Sequence, residues 1–210
     1  EIICGVTGTN GKTSTVDFLY QIWTLLEINA ARIGTLGVKS KEFNFETKNT
    51  TPDPINLHKI MNDLSLSGVS HLALEVSSHA IDQYRVNSID FNSACFTNLS
   101  LDHLDYHNSL ENYSNVKFSL FKNILPMDRA SVICTESKEG KDFSKSLKSL
   151  NKKTMEIGKN SEFINIESVK KFDSGNEVEI TFQGEPFSFI LGFAPYFQIL
   201  NILCAAGLAI

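Results

Sequence analysis

Short apolar runs alternate with amphipathic stretches along the first three quarters of the chain. Glu1–Val6 is an apolar run, and after a glycine-rich turn Thr13–Leu26 has the apolar spacing of a helix. Further runs typical of buried strands are Ala31–Gly37, His71–Val76, Ser93–Thr97 and Ala130–Cys134. Helical spacing is found in Ile55–Ser67, Leu110–Leu125 and Lys141–Lys153. This alternation predicts an α/β fold, a mostly parallel sheet with helices on both faces.

The pattern changes after residue 155, where apolar and polar residues alternate one by one. Phe163–Lys171, Glu177–Phe182 and Pro186–Leu191 show this period of two, with Ser-Gly-Asn at 174–176 as a turn. We therefore expect a small antiparallel β region over residues 160–192, attached to the α/β core of one domain covering 1–210. The chain begins without Met in a strand-like run and stops inside the apolar helix Ile199–Ile210, so we expect a domain of a longer protein.

Composition narrows the class of protein. The 210 residues include 42% hydrophobic and 20% charged residues, which is typical of a globular domain. A net charge of -5 argues against binding to a phosphate backbone, and we expect neither nucleic acid nor membrane as partner. The four cysteines are far apart in sequence, mostly within apolar runs, which favours buried reduced thiols and a cytoplasmic protein.

A glycine-rich segment between the first strand and the first helix is the strongest local signal. It reads Gly8-Thr9-Asn10-Gly11-Lys12-Thr13-Ser14. Glycines let backbone N–H groups approach phosphate oxygens, the helix N-terminus adds partial positive charge, and the lysine reaches the β- and γ-phosphates. The Thr13 hydroxyl is placed to bind Mg²⁺. Val6 occupies the position where the general phosphate-loop pattern has its first glycine, with Gly5 and Gly8 on either side.

Glu75 lies at the carboxyl end of the strand His71–Val76, where ligands bind in open α/β sheets. It is therefore a candidate metal ligand, although a capping or salt-bridged glutamate fits the pattern too. Another strand, Ser93–Thr97, leads into Asp102-His103-Leu104-Asp105-Tyr106-His107, where His103 is a candidate ligand and both aspartates are equally suited to capping a turn. His79 and His107 fit either a supporting or a surface role. From spacing alone Lys117 is an ordinary helix lysine with its amine in solvent.

Taken together, these motifs resemble the Mur ligase family, and most closely its MurE branch. The resemblance rests on Thr-Gly-Thr-Asn-Gly-Lys-Thr at 7–13, Asn-Thr-Thr-Pro at 49–52, Glu-Val-Ser-Ser-His at 75–79, Gln-Tyr-Arg-Val at 83–86 and Thr-Asn-Leu-Ser-Leu-Asp-His-Leu-Asp-Tyr-His at 97–107. These segments follow the family's order over nearly the whole chain. At 197–201 the family often has Phe-Asn-x-x-Asn, whereas this chain has Gln198 in place of the first Asn and keeps Asn201.

The resemblance implies a role for each matching position. It implies that Lys12, Lys117, Glu75 and His103 are catalytic, and that Lys117 is carbamylated. ATP is expected at Gly8, Thr9, Asn10, Gly11, Lys12, Thr13, Ser14 and Asn201. Two Mg²⁺ ions are expected at Thr13, Glu75, His103 and the Lys117 carbamate. The UDP-muramoyl dipeptide is expected at Asn49, Thr50, Thr51, Ser77, Gln83 and Arg85.

In this family ATP phosphorylates the substrate carboxylate, and the amine of an incoming amino acid then displaces phosphate from the acyl phosphate. The resemblance thus implies an ATP-dependent ligase of peptidoglycan precursor synthesis that joins UDP-MurNAc-L-Ala-D-Glu to diaminopimelate or lysine. It also implies a monomer with a UDP-binding domain before this chain and an amino-acid-binding domain after it. The alternatives are another Mur branch, a folylpolyglutamate synthase-like ligase, or a nucleotide-binding switch without catalysis.

Overall fold

The computed structural model describes residues 1–102, 104–192 and 194–210. The strands are β1 (Ile2–Thr7), β2 (Ala30–Gly34), β3 (Gly37–Lys39), β4 (Asn44–Phe45), β5 (His71–Glu75), β6 (Ser93–Phe96), β7 (Ala130–Cys134), β8 (Thr154–Gly158), β9 (Ile164–Phe172), β10 (Gly175–Phe182) and β11 (Glu185–Leu191). The helices are α1 (Lys12–Leu25), α2 (Pro54–Leu66), α3 (Ser78–Asp82), α4 (Leu104–His107), α5 (Leu110–Ser119), α6 (Lys138–Ser149) and α7 (Tyr196–Ala209). A π-helical turn, Leu120–Ile124, continues α5.

Across the described ranges the strands form one sheet in the order β11-β10-β9-β8-β7-β6-β1-β5-β2-β3-β4. β1 is parallel to β5 on one side and to β6 on the other. Strands β2, β7, β8 and β9 continue the parallel part, while β10–β11 and β3–β4 add antiparallel edges. The predicted α/β class is confirmed. Because the strand order reverses direction at β1, the carboxyl ends of β1, β5 and β6 border a crevice of the kind where ligands bind.

Each face of the sheet carries its own apolar core. On one face α1 and α7 pack together, with Leu19, Trp23 and Leu203 almost completely buried. On the other face Leu57 of α2, Phe121 of the π-helical turn after α5, and Leu147 of α6 are buried together with their neighbours. Side-chain caps fix where several helices begin, because Asp53, Ser77, Ser109 and Ser137 each accept a bond from a first-turn N–H.

Two parts of the structure differ from the sequence prediction. The run Ala31–Gly37 was predicted to be one strand, but β2 ends at Gly34 and the chain reverses into the antiparallel β3. Gly37, with φ of 77°, is part of this turn. The prediction failed because an apolar run does not show a reversal of direction.

The second difference lies around β8. The predicted helix Lys141–Lys153 begins at Lys138 and ends at Ser149, because Ser137 caps it and the buried strand Thr154–Gly158 follows. The antiparallel region predicted over 160–192 is confirmed, because β10 pairs antiparallel with both β9 and β11, and the parallel pairing of β9 with β8 joins this region to the main sheet. The four cysteines are free and buried, as predicted. None of the helices in the described ranges is both long and apolar enough to cross a membrane.

Candidate nucleotide and metal site

The turn between β1 and α1 is shaped so that only glycine fits at two positions. Gly8 has φ of 152° and Gly11 has φ of 85°, both in the region that favours glycine. A Cβ on Gly8 would collide with Thr97, and a Cβ on Gly11 would collide with Asn201. Gly11 precedes α1, and no side chain caps the first turn of this helix. The helix N-terminus therefore keeps its N–H groups and its partial positive charge for an anion.

The residues after β6 hold this loop in place. The Asn98 amide donates to the Asn10 carbonyl at 3.0 Å and its oxygen accepts from the Asn10 N–H at 2.9 Å. Thr97 Oγ1 donates to the same carbonyl at 2.6 Å, and Thr9 N–H donates to Asn98 O at 2.9 Å. The two residues after β6 thus fix the loop by four hydrogen bonds. In the sequence Thr97 and Asn98 are recognisable only as part of the motif at 97–107, which does not reveal this role.

Two lysines meet at the carbonyl of Gly8. Lys12 Nζ donates to it at 3.0 Å and to Thr9 O at 2.8 Å, while Lys117 Nζ donates to it at 2.8 Å. Lys117 is only 1% exposed, so the surface position inferred from helical spacing is wrong. Burial, followed by repulsion from Lys12, lowers the pKa of Lys117 from 10.5 to about 6. Burial also lowers the pKa of Lys12, although the charges of Glu75 and Asp102 oppose this effect.

Tyr113 joins the buried lysine to the phosphate loop. Its ring centroid lies 4.4 Å from Lys117 Nζ, and its hydroxyl lies 3.3 Å from Thr9 Oγ1. The ring also packs against His107 in a tilted arrangement, with the two ring centroids 5.1 Å apart, and His107 Nε2 is 2.9 Å from Ser78 Oγ. His107 is 5% exposed, which excludes the surface role considered for it. Helical spacing offered a signal for Tyr113, because it lies one turn before Lys117 on the same face of α5.

Glu75 at the end of β5 presents its carboxylate to the phosphate loop. The side chain is 1% exposed, and Thr13 Oγ1 donates to its Oε2 at 3.0 Å. The Thr35 N–H donates to Oε1 at 2.8 Å, and Thr35 Oγ1 lies 3.3 Å from Oε2. Burial raises the pKa of Glu75, while these hydrogen bonds and the charge of Lys12 act in the opposite direction. Nothing in the local sequence pattern distinguishes Thr35 as a site residue.

The groups brought together here suit a hard divalent cation. Thr13 offers a hydroxyl oxygen and Glu75 a carboxylate within 3.0 Å of it, and Mg²⁺ prefers such oxygen ligands. Lys117 is held near Lys12 and bonded to the same loop. His103, the fourth predicted ligand, lies outside the described residues. Apart from the residues left undescribed, no three His, Cys, Asp or Glu side chains form a cluster that could hold a metal ion.

The predicted substrate residues form a connected rim on the β5 side. Thr51 Oγ1 donates to Glu75 O at 2.7 Å and accepts from Ser77 N–H at 3.1 Å. Arg85 donates to Thr51 O at 2.8 Å through Nη1, and its Nε donates to Gln83 Oε1 at 3.0 Å. The remaining two are Asn49, which is exposed, and Thr50, whose hydroxyl is 3.1 Å from Thr35 Oγ1. Five of the six thus belong to one hydrogen-bonded surface.

On the opposite side, the start of α7 faces the loop. Gln198, the residue that departs from the family pattern, donates to Ser14 Oγ at 3.3 Å and accepts from Asn201 Nδ2 at 2.9 Å. Asn201 itself is buried against Gly11. A cleft of about 180 Å³ opens beside them. It is lined by Thr97, Asn98, Cys134, Glu136, Ser137, Phe197, Leu200, Asn201 and Cys204.

Comparison with known proteins places this arrangement in one family. The Mur ligase middle domain family matches residues 6–209. The UDP-N-acetylmuramoyl-L-alanyl-D-glutamate–2,6-diaminopimelate ligase of Chelativorans sp. strain BNC1 is 38% identical over 205 residues, covering 98% of this chain and 42% of that protein. A solved structure of a ligase with the same name superposes with a TM-score of 0.86 at 27% identity, covering 99% of this chain and 42% of the other.

The fold is shared more widely than the sequence. MurF ligase from Thermotoga maritima, solved in complex with ADP, has a TM-score of 0.77 at 20% identity, covering 98% of this chain and 44% of the other. This chain spans less than half the length of these ligases. The match over residues 6–209 and the 38% identity over nearly the whole chain show that the chain belongs to the Mur ligase family, as its middle domain.

Proposed function

We propose that the protein containing this chain is an ATP-dependent ligase of the MurE type. It would join UDP-MurNAc-L-Ala-D-Glu to a diamino acid in peptidoglycan precursor synthesis. The observation that carries this proposal is the phosphate loop facing a buried carboxylate, with Thr13 Oγ1 donating to Glu75 at 3.0 Å. The 38% identity to a relative named as a 2,6-diaminopimelate ligase supports the MurE branch and favours diaminopimelate over lysine.

The nucleotide would lie with its phosphates on residues 8–14 and its base toward Asn201. The glycine-lined turn and the uncapped N-terminus of α1 provide N–H donors there. Lys12 Nζ donates to Gly8 O and Thr9 O, so its amine lies within the loop that would surround the phosphates. Its charge would reduce the repulsion between the γ-phosphate and the substrate carboxylate, two anions that must come together.

The proposed metal ligands are Thr13, Glu75, His103 and a carbamate on Lys117. The hydroxyl and carboxylate oxygens of Thr13 and Glu75 fit Mg²⁺, and two ions are expected. Bound Mg²⁺ supplies charge neutralisation for the transferring phosphoryl group. Glu75 is held from two sides, by Thr13 and by Thr35, which fixes the direction of its carboxylate.

Carbamylation requires a neutral amine, which attacks CO₂ and releases a proton. Lys117 meets this requirement because burial lowers its pKa to about 6. Its Nζ lies 2.8 Å from Gly8 O, within the phosphate loop. A carboxylate formed there would replace a neutral amine next to Lys12 by an anion, which attracts the Lys12 ammonium.

In the proposed reaction a carboxylate oxygen of the dipeptide attacks the γ-phosphorus and ADP leaves. The amine of the amino acid then attacks the acyl carbon, and inorganic phosphate leaves. The dipeptide substrate would lie along the rim of Thr50, Thr51, Ser77, Gln83 and Arg85, with Asn49 at its exposed end. Arg85 suits a carboxylate or phosphate of that substrate.

The compartment, the oligomeric state and the flanking domains of the whole protein are also proposed. We propose a cytoplasmic monomer in which a UDP-binding domain precedes this chain and an amino-acid-binding domain follows it. The free, buried cysteines are consistent with a reducing compartment. We expect neither nucleic acid nor a membrane among its partners.

Phosphate release tests the proposal in the full-length protein. We expect release that requires ATP, Mg²⁺, UDP-MurNAc-L-Ala-D-Glu and diaminopimelate together, with amide product formed in equal amount. Lys12→Ala should lower kcat about 100-fold or more, as the loss of a transition-state donor does elsewhere. A nucleotide-binding switch would bind ATP without substrate-dependent release. Product formed with D-alanyl-D-alanine, the substrate in a MurF-type reaction, or with glutamate on a folate would assign another branch.

A further inference from the structure

We propose that Thr35 is a positioning residue that orients the Glu75 carboxylate and connects it to Thr50 on the substrate rim. This inference rests on the proposed function, because it assigns Thr35 to the metal side of that site. Thr35 lies in the turn after β2, within the run Ala31–Gly37 that the apolar pattern predicts as one strand. Three contacts at this turn carry it, and none of them involves an undescribed residue.

The first contact is a backbone hydrogen bond to the Glu75 carboxylate at the point where the pairing of β2 with β5 ends. β2 and β5 are parallel and pair up to Ile33 and Leu74. One residue further, Glu75 is 1% exposed and its side chain lies across the backbone of Gly34, where any Cβ would collide with the carboxylate. The Thr35 N–H, at the end of this ladder, donates at 2.8 Å to Glu75 Oε1. A backbone donor therefore fixes one carboxylate oxygen, whatever the side chain at position 35.

The second contact depends on the threonine side chain. Thr35 Oγ1 lies 3.3 Å from Glu75 Oε2, the same oxygen that accepts from Thr13 Oγ1 at 3.0 Å. An ionised carboxylate only accepts hydrogen bonds, so both hydroxyls donate to it. Thr35 and Thr13 thus hold Oε2 from opposite elements, the β2 turn and the phosphate loop.

The third contact continues toward the substrate rim. Thr35 Oγ1 lies 3.1 Å from Thr50 Oγ1. Because the Thr35 proton is used on Glu75, Thr50 is the donor in this pair, and the bonds run from Thr50 to Thr35 to Glu75. A substrate group that takes the Thr50 proton removes one bond from Thr35. Occupancy of the rim and orientation of the carboxylate are therefore coupled through one hydroxyl.

Metal affinity gives a direct test that does not depend on turnover. Mn²⁺ binding to the full-length protein with ADP, followed by electron paramagnetic resonance, reports on the carboxylate itself. We expect Thr35→Val, which keeps the shape and the N–H but loses the hydroxyl, to weaken Mn²⁺ binding about 10- to 100-fold, as removal of residues behind metal ligands does. Thr35→Ser should bind Mn²⁺ within about threefold of wild type, because serine keeps the hydroxyl. Loss of a hydroxyl hydrogen bond costs at least that factor, so the two variants can be distinguished.

Thr24→Val is the matched control, because Thr24 is exposed on α1 and its hydroxyl donates only to Tyr20 O of the same helix. It should leave Mn²⁺ binding unchanged. The inference is overturned if Thr35→Val binds Mn²⁺ as wild type does, or if Thr35→Ser loses as much as Thr35→Val. Wild-type protein that binds no Mn²⁺ with ADP would instead overturn the proposed function.

The link to Thr50 has its own test. Thr50→Val should weaken Mn²⁺ binding about threefold in the wild-type background and have no further effect when combined with Thr35→Val, because the bond that it removes then no longer exists. Equal factors in both backgrounds would show that the two residues act independently. This comparison also stands if Thr35→Val is poorly folded, because Thr50→Val can be combined with Thr35→Ser, where the full effect should return.

Discussion

At the scale of single residues, Lys117 shows what helical spacing leaves out. α5 has a weak division between apolar and polar faces, so the lysine has the appearance of a surface residue in the sequence. In the structure the Lys117 amine lies over the aromatic ring of Tyr113 and donates a hydrogen bond to Gly8 O. Gly8 is more than a hundred residues away in sequence, and local pattern carries no information about this contact. Only the family resemblance gave Lys117 a role.

The pKa of Lys117 leads to a pH-dependent prediction for the carbamate. At fixed dissolved CO₂, ¹³C NMR of the full-length protein should show a carbamate resonance near pH 8, because the amine with a pKa of about 6 is then neutral. As the pH falls through about 6 the amine takes up a proton and the resonance should decline. Lys117→Arg should give no resonance at any pH. A signal of constant intensity from pH 8 to about 5 would contradict the lowered pKa.

The other site residues differ in whether their neighbours in the sequence are enough to predict them. The phosphate loop could be predicted from sequence because its glycines, its lysine and its place between strand and helix are adjacent in the chain. Glu75 could be predicted as a strand-end carboxylate. The supporting residues Thr35 and Asn98 could not, since each acts through a partner at least 40 residues away, Glu75 for Thr35 and Asn10 for Asn98. Tyr113 has a local signal in its spacing to Lys117, but its contact with Thr9 is not visible in the sequence.

At the scale of elements, the junction of β1 and α1 depends on close approach by α7. Gly11 has a positive φ, and Asn201 of α7 occupies the space where its Cβ would be. Gln198, one turn earlier in α7, donates to Ser14 in the first turn of α1. α7 therefore fixes the loop from one side while β6 fixes it from the other. The antiparallel β3–β4 edge and the length of α6 were harder to predict, because turn positions decide them rather than apolar periodicity.

Replacing Gly11 tests this junction. We expect Gly11→Ala to weaken ADP binding by the full-length protein about tenfold or more, since an L-residue at this φ costs roughly 1–2 kcal/mol and the new methyl group displaces Asn201. Isothermal titration calorimetry measures the affinity. Gly184→Ala is the matched control, because Gly184 also has a positive φ of 91° but no described atom within 4 Å of its Cβ position. Equal affinities for the Gly11 variant and wild type would show that the loop tolerates a side chain.

At the scale of the whole molecule, the site lies where the two apolar cores meet at the central strand. α1 contributes Val16, Leu19 and Trp23 to the core on one face, whereas α5 contributes Tyr113 to the other, next to the buried Lys117. The hydroxyl contact between Tyr113 and Thr9 and the amine contact between Lys117 and Gly8 cross from one to the other. The overall α/β plan could be predicted because alternating elements allow few arrangements. The meeting of the cores could not, because it depends on strand order.

The last prediction concerns what this chain does by itself. Every proposed phosphate contact lies within residues 8–14, but the proposed substrate residues Asn49 and Gln83 are exposed along an open rim. We expect residues 1–210, produced alone, to be stabilised against thermal unfolding by ADP with Mg²⁺, because a ligand that binds only the folded chain raises its melting temperature. The shift should disappear in Lys12→Ala. Amide formation should be absent, since an acyl phosphate on an open rim is exposed to water. Ligation by these 210 residues at the rate of the full-length protein would contradict this view and make the rim a complete substrate site.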